Sequence, residues 1–257
     1  MSQNDWLAFE QPLNERVRTF LRLETLFAQY AHHAGDDSEW GLRASMHSLL
    51  DILSVVSRSD LKVEVVKELS EQHAALSRLS EREGVDQSRL QATLREIDSV
   101  MNALNALSSQ FAQQALRESE FLVSILNRAT IPGGTCGFDL PLLHHWLNMP
   151  EGRARRDLEA WYADLDAFQR AISLYLQLLR SSTTAHDCRA EQGTHIHTPE
   201  RTYALVRVLM PRGSLVYPEI SAGRHRFSIR FLACSDVNQR PLQSDDDITF
   251  RLQCCVL

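Results

Sequence analysis

The chain has 257 residues, 44% hydrophobic and 23% charged, a composition that fits one large or two small folded domains and excludes disorder as the main state. Its net charge of −6 argues against non-specific DNA binding, which needs an excess of Lys and Arg for phosphate contacts. Only Lys62 and Lys67 are lysines among 27 basic residues, so the positive charge is almost all guanidinium, a planar donor fork suited to carboxylates.

At the N-terminus, Leu7 and Phe9 alternate with Ala8 and Glu10, which predicts a short strand able to join strands near the C-terminus. Apolar residues at 13, 17, 20, 21, 27 and 30 then recur at helical spacing behind Asn14, a ready N-cap. A second helix is expected over 42–57. The stripe Leu61, Val65, Leu69, Leu76, Leu79 and the stripe Leu90, Leu94, Ile97, Met101, Leu104 predict a long antiparallel helical hairpin, with Gly84 ending one arm and Asp86 capping the other. One helix is expected over 112–128, broken by Ile131-Pro132-Gly133-Gly134-Thr135, and a short one over 140–147. A final helical pair after Pro150 buries Leu158, Trp161, Leu165, Phe168, Ile172, Leu176 and Leu179.

Past Ser181 the texture changes. Residues 182–198 are polar and His-rich and read as a loop or linker. Beyond them the period falls to two: Tyr203–Met210, Arg226–Phe231 and Ile248–Cys254 are expected strands, with turns at Pro211-Arg212-Gly213 and Ala222-Gly223. The expected fold class is α+β, with a large, mostly helical domain over 1–182 and a small antiparallel β-sheet domain over 183–257; residues 5–11 join that sheet. No stretch approaches the ~20 consecutive apolar residues of a membrane helix. The first residues lack the pattern of a signal peptide, and five scattered cysteines read as reduced thiols; a cytoplasmic protein is expected.

The strand at 226–231 is the most informative local feature. Alternation places Phe227, Ile229 and Phe231 on one face and Arg226, Ser228 and Arg230 on the other, with Arg224 and His225 just before. Two readings stay open: a solvated face whose arginines pair with local acids such as Asp245 to Asp247, or an anion-binding face. Arg18 and Arg22 share a face of the first helix, and Arg153, Arg155 and Arg156 cluster near a helix start. His144, His145, Cys188, His195 and His197 show no metal-ligand spacing. The Pro132-Gly133-Gly134 bend has no following Gly-Lys-Ser/Thr, and Gly-x-Ser-x-Gly is absent. No catalytic residue, cofactor or metal is therefore expected, and the chain reads as a non-enzyme.

Five segments together resemble one bacterial family, ZapD, the FtsZ-associated cell division proteins. They are Leu13–Arg22; Gly84–Arg89; Ile131–Pro141, running on to Leu147; Tyr217–Ser221 with Arg226–Phe231; and Phe250–Cys255. The third is the most specific, and the ordered set spans nearly the whole chain. The 182–201 segment departs from the family pattern, and Val256-Leu257 follow the terminal cysteine pair.

The resemblance implies a homodimer in the cytoplasm, recruited to mid-cell, that binds the C-terminal tail of FtsZ and cross-links FtsZ filaments into bundles in the division ring. It places Arg226 and Arg230 in a basic tail-binding pocket, with Arg58, Arg18 and Arg22 as further members. It implies no cofactor, no nucleic acid and no membrane insertion. The alternative is a nucleic-acid-binding module using the same strand arginines; the alternation argues against it, because stacking platforms present aromatics and arginines on one face.

Overall fold

The computed structural model describes residues 5–57, 60–80, 84–108, 111–150, 152–199, 201–223, 226–234 and 236–256. The fold class is α+β. The chain forms two compact units, one from the described parts of Met1–Thr19 and Leu176–Leu257, the other from Phe20–Tyr175. Among the described residues no helix is long and apolar enough to cross a membrane.

The chain opens with β1 (Trp6–Pro12) and α1 (Glu15–His33). Asn14 starts α1 as its spacing predicts: its Oδ1 accepts the N–H of Val17 at 2.8 Å. Helices α2 (Glu39–Val56), α3 (Leu61–Ser77) and α4 (Gln87–Ala106) follow. The hydroxyl of Ser38 caps α2 by accepting from Gly41 N–H at 3.1 Å. The carboxylate of Asp86 caps α4 by accepting from Arg89 N–H at 3.0 Å. Helices α3 and α4 form the expected hairpin, burying Val65 and Leu69 on one arm and Ile97 and Leu104 on the other.

Residues 112–128 are not one helix. They divide into α5 (Phe111–Glu118) and α6 (Glu120–Ala129). Ser119 adopts an extended conformation and its Oγ accepts the N–H of Leu122 at 3.2 Å, so the residue starts a new helix instead of continuing the old one. The remaining helices are α7 (Pro141–Leu147), α8 (Arg153–Tyr162) and α9 (Leu165–Ser181). Within the unit 20–175, α2 touches α5, α6, α7 and α8, which explains why so many of its turns are buried. Phe20 meets Tyr175 edge to face at 5.1 Å, and the Tyr175 hydroxyl donates to the buried Glu68 carboxylate at 3.0 Å.

Residues 182–198, read as a loop, carry two strands: β2 (His186–Ala190) and β3 (Thr194–His197). Then come β4 (Leu205–Pro211), β5 (Val216–Ala222), β6 (Phe227–Ala233), β7 (Leu242–Gln243) and β8 (Ile248–Cys255). They form two sheets where one was expected. The first has the order β1-β4-β8-β2, so β1 does join the C-terminal strands; the second runs β3-β6-β5, with β7 also paired to β6. All the pairings are antiparallel.

The two sheets face each other across one apolar core. Val206, Val208, Met210, Phe250, Leu252 and Ala190 come from the first sheet, and Phe227, Ile229 and Phe231 from the second. Strand β3 inverts the usual polarity. His197 stacks on Phe227 at 4.8 Å and His195 stands edge-on to Phe250 at 5.3 Å, while Ile196 between them is 60% exposed. An inward-facing pair of histidines around an outward isoleucine is why hydrophobic alternation failed to announce this strand.

Candidate functional site

Strand β6 builds the candidate face. Phe227, Ile229 and Phe231 are buried to 1% exposure or less, anchoring the strand to the core, while Arg226 and Arg230 are exposed. Arg230 lies within β6 and Arg226 immediately precedes its first residue, Phe227; four residues of extended chain span roughly 13 Å. Ser228 lies between them, opposite Ile196 on β3 and Ser221 on β5. The face thus combines two guanidinium groups, two small hydroxyls and an exposed apolar side chain on a rigid antiparallel support.

Local acids do engage one of these arginines, but not the ones expected. Arg230 is directly opposite Glu219 in the β5–β6 register, and its Nη2 donates to Oε2 of Glu219. Asp247 instead pairs with Arg189 and accepts the N–H of Gln192 at 2.9 Å, which holds its carboxyl below the ordinary value. Arg226 makes no ion pair among the described residues. Glu219 was not singled out in the sequence; the signal that could have found it is its position in a strand paired with β6.

The other candidate arginines stand elsewhere. Arg18 and Arg22 lie on α1, where the Nε of Arg18 sits 3.4 Å from Glu15 and Arg22 is exposed. Arg58 lies outside the described residues, as do Arg224 and His225. The cluster at the start of α8 is engaged locally: Arg155 donates to Asp37 at 2.7 Å and Arg153 lies 3.4 Å from Asp157.

The glycine bend is a tight turn. Gly134 N–H donates to Ile131 carbonyl at 2.9 Å and Cys136 N–H to Gly133 carbonyl at 3.0 Å, so these two amides are used within the turn. A side chain at Gly134 would put a Cβ 2.7 Å from the Arg128 carbonyl, which accounts for a glycine there. An open cleft of about 820 Å³ lies beside this bend, lined by Trp40, Arg43, His47 and His144. Its one guanidinium, Arg43, is already committed to Glu39 at 2.9 Å and to the Thr135 carbonyl at 3.0 Å. Among the described residues no group of three or more His, Cys, Asp or Glu is placed to hold a metal ion.

A different arginine pair is structural. In the first sheet Glu10, Arg207 and Gln253 stand in one cross-strand row. Glu10 accepts from Arg207 Nε at 2.7 Å and from Arg180 at 2.9 and 2.8 Å, while Arg207 donates on to Gln253 at 2.6 Å. These guanidinium groups are partly buried and already share the Glu10 carboxylate.

Comparison with known proteins adds an independent line. A family model described as ZapD, cell division protein, matches residues 21–230. A cell division protein ZapD of Azoarcus sp. (strain BH72) is 38% identical over 252 residues, covering 98% of this chain and 100% of that one. Proteins of the same name from Aromatoleum aromaticum and Methylococcus capsulatus are each 36% identical, with 98% of this chain and 98% of theirs aligned.

Proposed function

The chain belongs to the ZapD family of cell division proteins, and we propose that it binds the C-terminal tail of FtsZ and, as a homodimer, cross-links FtsZ filaments at mid-cell. The observation that carries this is the division of labour along β6. Three apolar side chains lock the strand into the core and leave Arg230 exposed on it, with Arg226 exposed just before its first residue. A flexible tail with acidic and apolar residues can bring carboxylates to these arginines, where each contact is charge-assisted and bidentate geometry is open to it. Ile196, exposed on the same face, offers apolar contact. The family motif adds Arg18, Arg22 and Arg58 as candidate contacts for the tail.

A single peptide contact of this kind is modest. A dimer with two such faces meets a filament that displays many tails. Once one face is occupied the second event is effectively intramolecular, and avidity can exceed single-site affinity by roughly 10² or more. Bundling by this route needs no catalytic residue and no cofactor. The nucleic-acid alternative loses its stacking platform, because Phe227 and Phe231 are 1% and 0% exposed and point away from the arginines.

The test is light scattering of polymerising FtsZ with this protein present. Scattering rises with full-length FtsZ and stays at the control level with FtsZ lacking its C-terminal tail. Equal bundling of tail-less filaments would overturn the assignment of the tail as the ligand.

A further inference from the structure

Building on the tail-binding role of this face, we propose that Glu219 is an intramolecular competitor that occupies Arg230 and lowers the affinity for acidic peptide. Glu219 stands directly opposite Arg230 across the β5–β6 pair and accepts from its Nη2. It therefore presents to the guanidinium the same chemical group, a carboxylate, that the ligand would bring. The two side chains are 51% and 54% exposed, and among the described residues neither makes a second ion pair. An exposed pair of this kind is weak enough to be displaced, and a carboxylate arriving from solution can exchange with it.

The exchange has an unequal effect on the two arginines. At Arg230 a ligand carboxylate replaces an existing contact, so only the difference between the two contacts adds to binding. At Arg226, which has no ion pair among the described residues, the whole contact adds. The face is thus graded: Arg226 sets the electrostatic affinity, and Arg230 becomes available when Glu219 lets go. Such grading keeps each contact short-lived, while avidity across many tails retains the dimer on the filament.

The experiment uses the full chain and a synthetic peptide with the sequence of the FtsZ C-terminal tail, read by fluorescence anisotropy. Glu219→Gln should tighten binding by roughly two- to fivefold, the range set by an exposed ion pair. Adding Arg230→Gln to that variant should abolish the gain, because the effect runs through the guanidinium. Arg226→Gln alone should weaken binding more than Arg230→Gln alone. If Glu219→Gln binds no better than wild type while Arg226→Gln weakens binding, the competitor role is overturned and the arginine face stands. If Arg226→Gln and Arg230→Gln both bind as wild type does, the face itself is wrong, and the competitor falls with it.

Discussion

Glu10 and Arg180 are joined by two parallel contacts, Nε to Oε1 at 2.9 Å and Nη2 to Oε2 at 2.8 Å, although 170 residues separate them in the chain. The same carboxylate takes a third donor, Arg207 Nε, at 2.7 Å. One side chain on β1 thereby ties the N-terminal strand to β4 and to the end of α9, which no local preference could arrange. Gln253 completes the network by donating to the carbonyls of Arg180 and Thr183, both at 2.6 Å.

This network sets an acid limit on stability. Burial pushes the Glu10 pKa up, but the hydrogen bonds and charges of Arg180 and Arg207 outweigh it, and the carboxyl ends below its ordinary value of 4.5. A lowered folded-state pKa contributes stability that is fully present above the unfolded value and is lost as pH falls through the folded one. Urea midpoints should therefore fall as pH drops below about 4.5, and Glu10→Gln should flatten that slope. Glu10→Ala should cost about 3 kcal/mol at neutral pH, because it strands two partly buried guanidinium groups. An unfolding curve for Glu10→Ala that overlays wild type would contradict this account.

Reversing the charge at the strand arginines should remove function without removing the fold. Arg226 and Arg230 are exposed, and substitutions at such sites usually change stability by no more than about 0.5 kcal/mol. The double variant Arg226→Glu/Arg230→Glu should keep the wild-type circular dichroism spectrum and abolish bundling, with Arg226→Glu alone the more damaging single change. Co-sedimentation with FtsZ filaments checks it; a folded double variant that pellets like wild type would refute the site.

Bundling should weaken as salt rises. The contacts invoked lie between solvent-facing charges, and the screening length shrinks from about 10 Å at 0.1 M to about 3 Å at 1 M. Light scattering of FtsZ with this protein should decline steadily over that range. Scattering that holds constant would point to an apolar contact in place of an arginine-led one.

The cysteines should divide into reactive and silent sets. Cys254 is 9% exposed and its thiol is pushed up to about 12, by burial first and by the neighbouring Cys255 and Cys188 thiols next. Burial also raises Cys255, which is 0% exposed. Cys234 is exposed. Since the thiolate is the nucleophile, a colorimetric thiol reagent at pH 8 should modify Cys234 rapidly and reach Cys254 and Cys255 only after denaturation. Mass mapping of the labelled peptides reads this directly, and early labelling of Cys254 would contradict the burial of β8.

Where side chains signalled their environment over many turns, the linear order sufficed. The stripes of α3 and α4, the cap at Asn14 and the alternation of β6 each rest on a repeat of 3.6 or 2 that one face of burial imposes. The exposure of Arg230 was legible for the same reason, since it alternates with the buried Ile229 and Phe231. The break at Ser119 was not, because apolar spacing continues across it and the choice between helix interior and cap is worth only about 1 kcal/mol. Strand β3 was hidden because its histidines face the core and its isoleucine does not.

The amino-acid order by itself therefore determined the α+β class, most of the elements and the family, since these depend on short-range periodicity and ordered motifs. Only the tertiary structure decided that the strands split into two facing sheets, that Glu10 holds Arg180 and Arg207, and that Glu219 rather than Asp245 to Asp247 meets Arg230. Those outcomes turn on which strand lies beside which, a choice made among distant segments by the shared burial of Phe227, Phe231 and Phe250, and nothing within a few residues of any of them encodes it.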